Sequence, residues 1–91
     1  MKELKITDSM NRSLQPGNVV MVLYHGLEDW TLWFIGTVTS VTYFANGFSL
    51  DLFEFETRRH HTVYGSLIDD RVKYDIHMVL KLANTSKEYF E

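Results

Sequence analysis

From Arg71 to Leu82 the chain alternates. Val72, Tyr74, Ile76, Met78, Leu80 and Leu82 occupy every second position, and Arg71, Lys73, Asp75, His77, Val79 and Lys81 fill the others. Residues two apart share one face of a strand, whereas a helix would scatter them around its axis. The pattern predicts a single strand with one apolar face, interrupted only by Val79 on the polar side. On that reading His77 faces water.

A second constraint is Asn46-Gly47. This pair suits a two-residue type I′ turn, in which both central residues take φ > 0. Such a turn would set Ala45 opposite Phe48, Phe44 opposite Ser49, Tyr43 opposite Leu50, Thr42 opposite Asp51 and Val41 opposite Leu52. Val41, Tyr43, Ala45, Phe48, Leu50 and Leu52 then share one face, and Thr42, Phe44, Ser49 and Asp51 share the other. Register and hydrophobic pattern agree.

The alternation breaks on both sides of this hairpin. Val38 and Val41 are three apart, yet both read as inward, and Phe53 and Phe55 continue on the opposite parity from Leu50 and Leu52. Gly36 lies near the first break. Bulges and sharp bends produce such phase changes, and small barrels use both to turn corners. Upstream, Leu14-Gln15-Pro16-Gly17-Asn18 reads as a turn, with Pro presetting φ and Gly supplying a positive one. Val19 to Tyr24 is then a strand apolar on both faces, His25 to Asp29 a loop, and Thr31 to Ile35 the start of the next strand. His61 to Tyr64 reads as a short strand and residues 65–70 as a turn or single helical turn. Thr7, Asp8 or Ser9 could cap a short N-terminal helix.

About five strands with short turns and no long helix predict a mainly β domain, a small, strongly bent antiparallel barrel. Residues 1–13 form an N-terminal segment, 14–82 the barrel and 83–91 a polar tail. Here the chain resembles the SH3-like and Sm-like barrels. The matching pieces are Leu14 to Val20 as the lead-in to the first strand, and Gly36 to Val41 followed by Gly47 to Leu50 as a bent central hairpin. The resemblance implies a fold; that superfold hosts many unrelated functions.

With 91 residues and 45% apolar content, one domain is expected. The absence of cysteine rules out disulfides, thiolate metal sites and a cysteine nucleophile. Residues 1–6 lack the apolar run of a signal peptide, and no stretch is long and apolar enough to span a bilayer, so a cytoplasmic location is expected. A net charge of −3 argues against general polyanion binding.

Little here reads as catalytic chemistry. His60 and His61 are adjacent, which on a strand sends them to opposite faces. Asp75 and His77 share a face, and His25 stands beside Glu28 and Asp29, but no spacing demands a metal. Serine, histidine and aspartate occur without a strained elbow or a Gly-rich oxyanion context. Glu54 and Glu56 read as a solvated strand edge. No enzyme activity, metal or cofactor is expected.

Two binding readings remain. Arg58, Arg59, His60 and Tyr64 form a local basic and aromatic run of the kind that holds single-stranded RNA or DNA by stacking and phosphate contact. The stronger signal is aromatic density. If Leu32, Phe34, Val41, Tyr43, Phe48, Leu50 and Leu52 point inward, then Trp33, Ile35, Phe44 and Phe53 point outward, with Trp30 nearby. Exposed apolar clusters mark interfaces, and Trp is enriched among hot spots. The expectation is a non-catalytic protein-interaction module, of the kind found among accessory, regulatory or virus-encoded small proteins, acting by self-association or on another protein. Against it stands the reading in which the terminal segments cover that face.

Overall fold

The computed structural model describes residues 6–25, 30–69 and 71–91, without the side chains of residues 25 and 30–32. Strands β1 (Val19–His25), β2 (Trp30–Tyr43), β3 (Gly47–Glu54), β4 (His60–Ile68), β5 (Arg71–Tyr74) and β6 (His77–Ala83) precede one short helix, α1 (Ser86–Phe90). They form one antiparallel sheet in the order β5-β4-β3-β2-β1-β6, curled into a nearly closed barrel. The strand count is six among the described residues, where the sequence predicts five.

The extra strand comes from the segment that alternates most regularly. Residues 71–82 are not one strand: Asp75 and Ile76 bend the chain, so β5 pairs with β4 while β6 crosses to pair with β1. The inner face of β6 is also the opposite of the one expected. Val79 pairs with Val22 and is fully buried with it, whereas Met78 and Leu80 lie on the outer side, half-buried. The single apparent flaw in the alternation is the core residue.

The core is built by Val20 and Val22 of β1, Val38 of β2, Phe48, Leu50 and Leu52 of β3, Val63 of β4 and Val79 of β6. Each such side chain contributes about 1.5–3 kcal/mol on full burial. Both breaks in the pattern of the central hairpin have their cause here. The β2–β3 register shifts between Val38 and Ser40, and that bulge lets Val38 and Val41 both turn toward the core. Phe53 and Phe55 need no bulge, because they belong to the outer face. At the bend in β2, a Cβ on Gly36 would collide with the Phe53 carbonyl, so only glycine lets the strands approach there.

The hairpin turn differs from the expected one. Phe44 N–H donates to the Gly47 carbonyl at 2.8 Å, placing Ala45 and Asn46 at the corners. Tyr43 faces Phe48, Thr42 faces Ser49 and Val41 faces Leu50. Neither Asn46 nor Gly47 takes a positive φ, so the turn is not type I′. Gly47 serves another purpose: the Gly65 carbonyl of β4 lies 2.5 Å from where its Cβ would stand. Moving the turn by one residue shifts the register by two, so every side chain keeps its face. Tyr43 nevertheless extends past the core and is exposed.

The other turn is as read. Asn18 N–H donates to the Gln15 carbonyl and Gly17 has φ 97°, the geometry of a type II turn with proline at its first corner. Among the described residues, no helix forms at 6–14 or at 65–69. Residues 6–14 make a small hairpin, with Thr7 bridged to Ser13, and β4 runs on to Ile68. The N-terminal hairpin seals the outer edge of β6. Ser9 N–H donates to the Val79 carbonyl at 2.7 Å, and Val79 N–H donates to Ser9 Oγ at 2.9 Å. Ile6 and Leu14 join the core.

Candidate interaction surface

Because β1 has apolar residues on both faces, burying Val20 and Val22 sends Met21 and Leu23 outward. Leu23 pairs with Trp33 of β2 and Met78 of β6; Met21 pairs with Ile35 and Leu80. Directly opposed residues in antiparallel strands share a face. Among the described residues, the outer surface of β6-β1-β2 therefore carries two rows of three uncharged, apolar side chains. Trp33 is the most open, 61% exposed, and the other five are half-buried.

One side of this surface is closed by the C-terminus. Phe55 N–H donates to the Ile35 carbonyl at 3.1 Å, which continues the outer row onto Phe55. The rings of Phe90 and Tyr89 in α1 lie 5.0 and 6.2 Å from the Phe55 ring. The helix is started by Thr85, whose Oγ accepts the Glu88 N–H at 3.0 Å, while Glu88 reaches back to Asn84 N–H. The C-terminal segment thus covers part of the outer face, as the competing expectation held, and leaves Trp33 open.

The residues expected to act together are divided. Trp33 and Ile35 stand side by side in this surface. Phe53 is further along the outer face, half-buried, with its ring 5.4 Å from His60. Phe44 sits at the β2–β3 turn, at the far end of the 14-residue strand from Trp33, and is 54% exposed there. The Trp30 side chain lies outside the described residues. Met21, Leu23, Met78 and Leu80 were not expected to belong to the face, yet they form most of it.

Protein-family models, curated proteins and solved structures offer no match to this chain.

One end of the barrel interior holds a polar group of a different kind. Glu54, expected on a solvated edge with Glu56, is only 8% exposed, because the chain turns after β3 and the two do not share a strand face. Its Oε1 lies 2.8 Å from His61 Nε2. That hydrogen bond holds the Glu54 carboxyl below its ordinary range, against the upward push of burial, and Thr57 adds to it. The His61 ring stacks on Phe34 at 4.1 Å, while His60 points outward, as adjacent strand positions require. His77, expected to face water, is half-buried with its ring edge-on to Tyr24 at 5.6 Å. Its Nδ1 is buried with no partner among the described residues. Burial lowers its pKa, the nearby His61 lowers it further, and Asp75 partly offsets both. No three such groups among the described residues are arranged to hold a metal ion, and no helix among them is long and apolar enough to cross a membrane.

The basic run lies on the barrel's outside. Arg58 occupies a turn with φ 59°, Arg59 is exposed, and His60, Thr62 and Tyr64 form an open row along β4. Asp51 stands opposite Thr62, in the middle of that row. Its carboxylate accepts from Ser40 Oγ at 2.7 Å and Thr62 Oγ at 3.0 Å.

Proposed function

We propose that this domain, a barrel of the SH3-like or Sm-like kind, is a non-catalytic protein-interaction module whose contact surface is the outer face of β6-β1-β2. The observation that carries the reading is the double row Leu23, Trp33, Met78 and Met21, Ile35, Leu80, uncharged across three strands, with Trp33 standing open on it. Within the two rows β1 is paired on both sides, with β2 and with β6, so a partner seated there meets side chains rather than backbone. An uncharged apolar sheet face is matched by another such face, packed about 10 Å away. The chain possesses one, and the reading therefore commits to a second copy as the occupant. A standard interface buries ~800 Å² per partner. Phe55, Tyr89 and Phe90 extend the same face toward that size. The two methionines, with their flexible side chains, adapt readily to such a contact.

Sedimentation velocity over a range of concentrations tests this. The expected result is a monomer–dimer equilibrium that Trp33→Ser weakens by about thirtyfold, the effect of losing a hot spot near 2 kcal/mol. A concentration-independent monomer for the parent chain would remove the reading.

A second reading, a single-stranded nucleic-acid binder along β4, is supported by the open row His60, Thr62 and Tyr64 with Arg58 and Arg59 at its end. Asp51 in the middle opposes it. Titration with a labelled oligonucleotide decides: phosphate contacts must weaken as salt rises, and absence of binding at low salt ends this reading.

A further inference from the structure

A six-stranded sheet that does not close has two terminal strands, and this barrel treats them differently. The outer edge of β6 is occupied: Ser9 exchanges hydrogen bonds with Val79, and Asp8 accepts the Lys81 N–H at 2.8 Å. Among the described residues, the outer edge of β5 is not. Its residues Arg71 to Tyr74 pair with Ile68 to Gly65 of β4 on one side. On the other side, among the described residues, no backbone group pairs with Arg71, Val72 or Lys73. Instead β5 borders two open clefts. One, about 360 Å³, separates it from Thr7, Ser9 and Asn11; the other, about 550 Å³, continues past Ile68 and Asp69 to Lys73. Arg71 and Val72 line both, so the two spaces adjoin along the strand, together a slot beside β5.

We propose that this slot is a strand-addition site for an extended acidic peptide, lying between β5 and the N-terminal hairpin. Unpaired backbone groups on a sheet edge are a template for another strand. The side chains specify which strand. Arg71 and Lys73 are exposed and flank the half-buried Val72, so the site offers positive, apolar, positive at successive positions. A strand alternating carboxylates with small apolar residues complements that pattern. A second copy of β5 does not, because it would bring Arg71 and Lys73 against their own kind, and like charges across a strand pair are destabilising. The same charges that prevent edge-to-edge pairing of this chain thus select an acidic partner. Asp8 does not oppose it, since its carboxylate is already spent on Lys81 and Arg12; Asp69, at the slot's end, does in part. The site shares no residue with the Trp33 surface, so the two readings stand or fall separately.

The test is titration of the ¹⁵N-labelled full chain with an acetylated, amidated Glu-Val-Glu-Val-Glu peptide. Amide shifts are expected at residues 71–73 and 7–11, and the double variant Arg71→Glu/Lys73→Glu should weaken binding by about tenfold or more, as for the loss of roughly 1.4 kcal/mol of charge complementarity. Both side chains are exposed, and an unchanged dispersion of the remaining amide signals verifies that the variant is folded. A peptide N-methylated at alternate amides should not bind, because main-chain pairing is then blocked. No binding at peptide concentrations of about 1 mM, equal binding of Lys-Val-Lys-Val-Lys or of the N-methylated peptide, or shifts confined to other strands would each overturn the proposal.

Discussion

The carboxylate of Asp8 accepts the backbone N–H of Lys81 at 2.8 Å across 73 positions of sequence. The same side chain accepts the Met10 and Arg12 N–H groups at 3.0 and 2.7 Å and meets the Arg12 guanidinium at 2.8 Å. Asp8 therefore does two things at once. It shapes the N-terminal hairpin and fastens that hairpin to the edge of β6, where the sheet would otherwise end.

Removing that group should cost stability. Asp8→Ala leaves the Lys81 and Arg12 N–H groups without their acceptor in a largely buried place, an expected loss of about 2–4 kcal/mol in urea unfolding at neutral pH. Burial pushes the Asp8 carboxyl up, but the Lys81 and Arg12 N–H groups and the Arg12 guanidinium together hold it below its ordinary 3.8. A depressed carboxylate stabilises the fold above its unfolded pKa, and that contribution fades as pH falls through the folded value. The gap between parent and variant should therefore close in acid. A variant within about 0.5 kcal/mol of the parent at neutral pH would show that the seam is held elsewhere.

His77 acts in the opposite sense to a surface histidine. Its pKa is lowered from 6.5, so the fold keeps the ring neutral while the unfolded chain takes up a proton. Stability should be level at higher pH and fall as pH drops below 6.5 toward the depressed folded value. His77→Phe keeps the aromatic edge against Tyr24 and removes the buried Nδ1, which has no partner among the described residues. Denaturant midpoints measured between about pH 7.5 and about pH 5 should lose part of their slope in this variant. An unchanged slope would place the acid sensitivity in other groups.

The inner face of β6 is open to a paired comparison. Val79 is fully buried and Leu82 is 40% exposed. Val79→Ala should destabilise by about 1–3 kcal/mol through lost burial and the cavity left behind. Leu82→Ala should stay within about 0.5 kcal/mol. The reverse order in equilibrium unfolding would restore the one-strand reading of residues 71–82.

Phe44 and Trp33, grouped by sequence, are separated by the fold. Phe44→Ser should leave both stability and the monomer–dimer equilibrium near those of the parent, whereas Trp33→Ser weakens association. Equal loss of association in the two variants, followed by sedimentation velocity, would mean that the contact surface is not the one on β6-β1-β2.

Several local features were legible because their causes are local. The type II turn needs only Pro16 and Gly17 in the right order. The inward pairing of Val38 and Val41 announced a bulge, and adjacency alone sent His60 and His61 to opposite faces. The N-cap of α1 is also written in the chain, as Thr85 followed three residues later by Glu88. Glu54 was misplaced because its partner, His61, comes from the next strand, and no local pattern pairs a carboxylate on β3 with an imidazole on β4.

By itself the sequence determined that this chain forms short, bent strands with a shared apolar interior, since period-two patterning, a proline-glycine turn and a bulge act within a few residues of one another. Tertiary structure alone decided which side of β1 and β6 faces in. Val79 and Met78 are both apolar, and period two permits either to be buried. Only the pairing of β6 with β1, which sets Val79 across from Val22, selects Val79 for the core and leaves Met78, Leu80 and Trp33 on the outer face.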